Sequence, residues 1–355
     1  MLETIRWGIL GTGVVARDFA EGLQSLPDAQ LLAVGSRSQA KAEEFARLFS
    51  MPRAYKNYED LINDKDLDVI YIATPNHRHK DHCLLALEAG KSVLCEKPFA
   101  LDAEEVREII AVARRKQLFC MEAMWMRFMP VMSKLRNCLE AGVIGEVRMV
   151  EANLGFPVAF DENNRFSNRQ MGGGALFDLG IYTLSLASYL FGNPTQVVSQ
   201  ASIGSTGVDE QSAFILSYGQ EKLAILHTSL CTQLSCEALI IGTRGRIRIH
   251  PPLYRPHKLS ITRFQEPESS TPGQNGLNYV KKLPVVRSVY FRLERLFNER
   301  LERIEERIEG NGYNYEAAEV MRCLRAGKLE SEIMPLDETL RIVETMDTIR
   351  SQWNC

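Results

Sequence analysis

From residue 5 onward, short apolar runs alternate with amphipathic stretches, the pattern of strands and helices that wind a parallel sheet. "IRWGIL" reads as a strand and "GTGVVARDFAEGLQSL" as a helix, followed by the strand "QLLAVGS" and the helix "SQAKAEEFARLF". "DLDVIYIATP" is apolar almost throughout, as a strand covered on both faces must be. "HRHKDHCLLALEAG" predicts a helix ended by Gly90, and "KSVLCEKP" the next strand. Asp102 and Glu105 frame a capping box for a helix over 103–116, and "QLFCMEAMW" closes the series. A doubly wound parallel sheet over 1–122 follows.

Beyond residue 122 the texture changes. A helix, "PVMSKLRNCLEAG", precedes strand-like segments that follow one another without helices between them: "EVRMVEANLGF", "TQVVSQASI", "SAFILSYG", "KLAILHTSLCTQL" and "CEALIIGTRGRIRIH". Such a succession predicts an open, mainly antiparallel sheet in an α+β domain over 123–355. One helix interrupts it, "GGALFDLGIYTLSLASYLFG". Residues 265–284 are polar and rich in Pro, Gly and Ser, as a loop is. Val289, Leu293, Phe297, Leu301, Ile304 and Ile308 then form a stripe that predicts an amphipathic helix over 285–308, suited to a lid, to a partner or to dimer packing. "YEAAEVMRCLRAG" and "PLDETLRIVETMDTIRSQW" predict two closing helices.

Composition bounds the partners. At 355 residues and 45% hydrophobic the chain can bury two domain cores, and a net charge of -3 gives no field that would draw nucleic acid or an anionic membrane. A small-molecule partner is expected. The N-terminus "MLETIRWGIL" carries no signal pattern, and no uninterrupted apolar run nears the roughly 18 residues of a membrane span, so a cytoplasmic location is expected. The eight cysteines are scattered without a paired framework, which fits reduced thiols and no metal site. His77, His79 and His82 suit capping or packing better than metal ligation, because at most one pair shares a helix face.

Chemistry enters with "GILGTGVVARDFA". Gly11, Thr12, Gly13 and Val14 make the turn of a G-x-G-x-x-A spacing directly after a strand and at the opening of a helix, where unpaired N–H groups can cradle a pyrophosphate. In that context it predicts a Rossmann dinucleotide site. The second strand ends "AVGSRS", without the acid that would bind the ribose 2′-hydroxyl of NAD. Ser36 and Arg37 stand there instead, and an arginine fork suits a 2′-phosphate, so NADP is expected over NAD. A merely solvated Arg37 would leave the two undecided.

At the carboxyl end of a late strand, "CEKP" places Glu96 and Lys97 where ligands of such sheets bind. Asp178 and Tyr182 are four apart in "GGGALFDLGIYTL", one turn from each other on a helix. Oxidising an alcohol needs a hydride acceptor and a base. A tyrosine near 10 needs a cation beside it to serve as that base, and Lys97 is the candidate.

With "ATPNHRH", "AGKSVLCEKP", "MEAMWMRFMP", "GGGALFDLGIY" and "GNGYNYEAAEVMRCL", the chain resembles the glucose–fructose oxidoreductase, inositol dehydrogenase and MocA family along nearly its whole length. It is most similar to the branch of dihydrodiol and NADP-dependent D-xylose dehydrogenases. The resemblance implies that Lys97 lies beside the nicotinamide and the reacting hydroxyl, with Glu96 shaping the cofactor site. It implies Tyr182 as acid/base and Asp178 as a substrate contact or orienting group. Thr74, Pro75 and Asn76 would line the cofactor, and Trp125, Arg127 and Phe156 the substrate pocket, although Trp125 equally suits a domain interface. The implied activity is hydride transfer between NADP and a CH–OH group of an aldose, cyclic polyol or trans-dihydrodiol, in a dimer or tetramer. A dinucleotide-binding sugar sensor and an NAD-dependent inositol-type dehydrogenase are the alternatives. The loop "PVAFDENNRFSNRQM" departs from the branch pattern, which leaves the substrate open.

Overall fold

The computed structural model describes residues 3–159, 161–162, 164–219, 221–264 and 299–353. Six strands, β1 (Ile5–Leu10), β2 (Ala29–Gly35), β3 (Arg53–Tyr55), β4 (Val69–Ile72), β5 (Ser92–Glu96) and β6 (Cys120–Ala123), form a parallel sheet in the order β3-β2-β1-β4-β5-β6. The order reverses direction between β1 and β4, which opens a crevice at the carboxyl ends of those strands. Successive residues of β4 serve opposite cores: Val69 and Tyr71 pack toward the second domain, whereas Ile70 and Ile72 pack with Leu61, Leu87 and Val106 on the other face. This two-sided burial explains why the strand reads as apolar throughout.

Helices α1 (Val14–Leu23), α2 (Gln39–Leu48), α3 (Tyr58–Ile62), α4 (His79–Glu88) and α5 (Ala103–Lys116) cover this sheet. The start of α5 is set as its sequence predicts, because the Asp102 carboxylate accepts the Glu105 N–H at 2.9 Å. Its Val106, Ile109 and Ile110 are buried, each contributing roughly 1.5–3 kcal/mol of apolar burial. β3 and α3 are too short for their patterns to stand out, and the sequence reading passes over both.

The second sheet has eight strands in the order β14-β13-β12-β11-β7-β10-β9-β8, antiparallel except for the β7/β10 pair. Its strands are β7 (Val147–Gly155), β8 (Gln196–Ile203), β9 (Asp209–Tyr218), β10 (Lys222–Ser229), β11 (Ala238–Gly242), β12 (Gly245–Ile249), β13 (Lys258–Phe264) and β14 (Glu299–Glu305). "CEALIIGTRGRIRIH" is therefore a hairpin of two strands, turned at Thr243 and Arg244. One face packs against α6 (Pro130–Glu140) and α7 (Ile181–Phe191), and the other is open, with Val198, Ile215 and Ile225 exposed.

The helix expected over 285–308 is corrected at its carboxyl end, where 299–305 is strand β14; residues 285–298 lie outside those described. Leu301 and Ile304 are three apart, so on a strand they take opposite faces: Leu301 is exposed, and Ile304 packs against the core. An edge strand tolerates the flanking charges, which pair across to β13 as Lys258–Glu305 at 3.3 Å and Arg263–Glu302 at 2.8 Å. The polar loop expected over 265–284 also lies outside the described residues.

Helices α8 (Tyr313–Arg325) and α9 (Leu336–Ser351) close the chain and return to the first domain. Asp347 accepts the Ala103 N–H at 2.8 Å, and Asn311 donates to Asp18 O at 2.6 Å. The segment Arg169–Phe191 has the length and mean hydropathy of a membrane span, but 72% of its apolar window is buried here as a core element.

Candidate active site

The crevice begins at the glycine turn after β1. Gly11 sits at φ +111°, and a Cβ on it would meet the Ala73 carbonyl oxygen at 2.6 Å, so only glycine fits the turn. A Cβ on Gly13 would meet nothing within 4 Å, and no side chain caps the first turn of α1. Clear space and unpaired N–H groups at a helix N-terminus fit the pyrophosphate of a dinucleotide. Thr12 completes the turn, and Val14, 75% exposed, forms its lip.

At the end of β2, the buried Ser36 donates its N–H to Tyr55 O at 3.1 Å and accepts the Ser38 N–H on its hydroxyl at 3.3 Å. Arg37 is exposed and acts electrostatically on Tyr58 and His77, so a cation stands beside the crevice where the adenosine ribose of a dinucleotide belongs.

The Thr74–Pro75–Asn76 loop is held by histidines. His79 meets Thr74 O at 2.8 Å and Pro98 O at 2.7 Å, while His82 Nδ1 meets the Thr74 hydroxyl at 2.9 Å. Burial pushes His82 down to about 4, which keeps its ring neutral, and it also lowers His79, against the two carbonyl contacts that raise it. Asn76 donates to Gly172 O at 3.2 Å and so ties the loop to the second domain.

At the end of β5, Lys97 Nζ donates to Asp178 O at 2.8 Å and to Asp178 Oδ1 at 3.2 Å, and it lies 4.9 Å from the centroid of the Tyr182 ring. Asp178 and Tyr182 come from one continuous stretch, a π-helical turn over Leu176–Gly180 running into α7. Burial raises the Asp178 carboxyl, but Lys97 and then Arg165, at 3.2 Å, more than offset this and hold it below the usual carboxylate range. The Tyr182 hydroxyl accepts the Trp125 indole N–H at 2.9 Å.

The cation was expected to draw Tyr182 toward neutrality, and here it does not. Burial pushes the hydroxyl well above its usual value, and Glu96 adds to the rise. The physical reason is placement: Lys97 stands over the ring face and donates its hydrogen bonds to Asp178. Glu96 accepts the Tyr71 hydroxyl and the Lys97 N–H, and burial pushes it up to about 7.

An aromatic wall faces this cluster. Trp125 stacks on Tyr313 with ring centroids 4.5 Å apart, and Tyr254 lies 6.1 Å from both Trp125 and Phe156 and 6.4 Å from Tyr182. Tyr254 escapes a motif-based reading because it is a lone tyrosine in a turn, as does Arg165 in its loop, whereas Tyr313 stands in the run "GNGYNYEAAEVMRCL" with no role assigned to it there. Behind the wall lies Glu316, fully buried with neither carboxyl oxygen hydrogen-bonded among the described residues, and burial pushes it well above the carboxylate range.

Arg127 does not take the pocket-wall place expected for it. Only 2% exposed, it donates to Ser185 Oγ at 2.8 Å, Ser185 O at 2.6 Å and Ile333 O at 3.2 Å, and pairs with Glu338 at 2.6 Å. The 3-10 turn Trp125–Phe128 points residues two apart in different directions, so Trp125 faces the site while Arg127 joins α7 to α9.

Comparison with known proteins agrees with this fold. Residues 5–124 match the oxidoreductase family with an NAD-binding Rossmann fold, and residues 132–248 match the GFO/IDH/MocA C-terminal domain. The chain is 34% identical to a trans-1,2-dihydrobenzene-1,2-diol dehydrogenase of Xenopus laevis, covering 98% of this chain and 97% of that one. It is 35% identical to the Homo sapiens protein of the same name, covering 98% and 96%. The fold is shared with a 3-ketoreductase from Actinomadura kijaniata in complex with NADP and TDP-benzene, at a TM-score of 0.80, 22% identity and 98% coverage of both chains. It is also shared with an aldose-aldose oxidoreductase from Caulobacter crescentus, at a TM-score of 0.80 and 21% identity, covering 98% and 97%. The chain belongs to the Gfo/Idh/MocA oxidoreductase family and is an NAD(P)-dependent dehydrogenase acting on CH–OH groups.

Proposed function

We propose that this dehydrogenase uses NADP to interconvert a cyclic trans-diol, or a sugar presenting a similar CH–OH group, and its carbonyl counterpart, with Tyr182 as the proton-carrying group. The observation that carries the reading is the meeting of Lys97, Asp178, Tyr182 and Trp125 at the carboxyl edge of β5. The nicotinamide, when bound, supplies the hydride acceptor or donor. Gly11, Thr12, Gly13 and Val14 would hold its pyrophosphate, and Thr74, Pro75, Asn76 and Glu96 would line the ring side.

In the reducing direction, Tyr182 donates its phenolic proton to the carbonyl oxygen, and Lys97 shares the charge that develops there. Oxidation reverses the transfer, and the substrate hydroxyl gives its proton to the Tyr182 oxygen. Trp125 orients that oxygen through its N–H, and Asp178 holds Lys97 in place. A wall of Trp125, Phe156 and Tyr254 suits a flat ring, which favours the diol substrate named for the relatives over an open-chain polyol.

The preference for NADP rests on Arg37 and on the lack of an acid at the end of β2. Titration of NADPH and NADH against wild type and Arg37→Ala tests it. Wild type should bind NADPH at least about tenfold more tightly, and the variant should lose most of that margin. Equal affinities untouched by the substitution would remove the preference. Assays with trans-dihydrodiols, aldoses and inositols then rank the substrates, and turnover confined to inositols would refute the diol reading. We further infer a homodimer built through the open face of the second sheet, where β8, β9 and β10 present the adjacent residues Val198, Ile215 and Ile225 at 55%, 47% and 38% exposure.

A further inference from the structure

Asp178 and Tyr182 ride on a single stretch of backbone whose start is fixed from another strand. Gly174 precedes that stretch at φ +113°, and a Cβ on it would meet Asp209 Oδ1 at 2.2 Å, so the Asp209 carboxyl fills the space a side chain would need. The same carboxyl accepts the Leu176 N–H at 2.8 Å and the Ser212 hydroxyl at 2.9 Å through Oδ2. Ser212 Oγ in turn lies 3.1 Å from Thr228 Oγ1 on β10, so the carboxyl is anchored by two strands. Gly174 O accepts the Asp178 N–H at 3.2 Å, which carries the tie from β9 to the residue that holds Lys97.

A carboxyl is a costly choice for this position. Asp209 is 4% exposed, and a buried carboxylate without a close cation costs several kcal/mol. Burial pushes it up to about 7, against the bonds from Ser212 and Leu176. The charged group facing it from the packed elements is Arg350 of α9, whose guanidinium lies over the Phe177 ring at 4.9 Å. A π-helical turn such as Leu176–Gly180 is less favourable than an α-turn and persists where its surroundings hold it.

We propose that Asp209 is a positioning residue: by holding the Leu176 N–H and the Gly174 turn, it fixes the helical stretch that aims Asp178 at Lys97 and Tyr182 at the reacting oxygen. The proposal rests on the roles given to Asp178 and Tyr182 above.

The test compares kcat, KM and NADPH affinity in wild type, Asp209→Asn, Asp209→Ala, Tyr182→Phe and the Asp209→Ala/Tyr182→Phe pair. Asp209→Ala should lower kcat at least about tenfold with NADPH affinity kept within about twofold. Asp209→Asn, whose amide oxygen still accepts the Leu176 N–H, should return kcat to within about threefold of wild type. On top of Tyr182→Phe, Asp209→Ala should cost no more than about threefold, because the share of its effect that runs through Tyr182 is already lost and only the share through Asp178 and Lys97 remains. A wild-type kcat in Asp209→Ala, an Asn variant as impaired as the Ala variant, or a full additional loss in the pair would each overturn the proposal. Should Asp209→Ala not fold, Ser212→Ala carries the test. Its kcat should fall about two- to fivefold with NADPH affinity kept, and a wild-type kcat would overturn the proposal. Unchanged kcat in Tyr182→Phe alone would instead overturn the reading of Tyr182.

Discussion

Tyr182 is buried, and both its burial and Glu96 favour the protonated phenol. A phenol that keeps its proton is prepared to give it to a carbonyl oxygen and must lose it before it can accept one from an alcohol. The oxidation rate should therefore still be climbing with pH at about 10, while the reduction rate stays level over the same range. Steady-state assays of both directions check this, and an oxidation rate that levels off below about pH 7 would show that some other group is the base. At this scale the sequence was uneven. Lys97, Asp178 and Tyr182 stand in runs whose residue types and spacing point to chemistry, and the structure brings them together. Arg127 sits in an equally suggestive run and is a structural tie to Glu338. Tyr254 gave no local signal, and Tyr313 and Glu316 stand in "GNGYNYEAAEVMRCL" without their role showing there, because what places all three near the site is a contact between distant segments.

Periodicity read the long elements well. α5 spans the residues its capping box and apolar spacing predict, and β4 is buried on both faces as its composition requires. It failed where two periods compete. The segment "ERLERIE" carries apolar residues at a helical spacing of three, yet pairing with β13 and cross-strand charges make it an edge strand. Short elements such as β3, at three residues, lie below what any pattern can resolve. The open face of the second sheet is a consequence of element packing: helices cover one side, and Val198, Ile215 and Ile225 line up by register across three strands on the other. Placing a charge in that row tests the inferred dimer. Light scattering should give twice the chain mass for wild type and the chain mass for Ile215→Lys, whereas a wild-type monomer would contradict the dimer.

For the whole molecule, buried titratable groups set how stability depends on pH. Glu96, Glu122 and Asp209 are each pushed up to about 7 by burial. Their folded values lie above the unfolded ones near 4, so the stability they contribute is complete below about pH 4 and is lost as pH rises through about 7. The reverse holds for Asp178 and Glu338, lowered by Lys97 and Arg127 against their burial, and for His79 and His82, lowered by burial. Their contributions are present above the unfolded values and lost as pH falls. Three raised acids against two lowered histidines should make stability fall as pH rises from about 5 toward 8.5, with most of the loss complete by about pH 7.5, and fall again below about pH 4. Scanning calorimetry across that range checks this, and a Tm higher at about pH 8.5 than at 6 would contradict it.

Both scales of placement, the parallel sheet that delivers Lys97 and the second domain that delivers Tyr182, serve one claim: these two side chains perform the proton transfer of a dehydrogenase. Single-turnover kinetics with bound NADP and a trans-dihydrodiol tests it most directly, by comparing wild type with Tyr182→Phe. A fall in the hydride-transfer rate of about a hundredfold or more, with NADP affinity unchanged, is the result predicted. A variant that transfers hydride at the wild-type rate would contradict it.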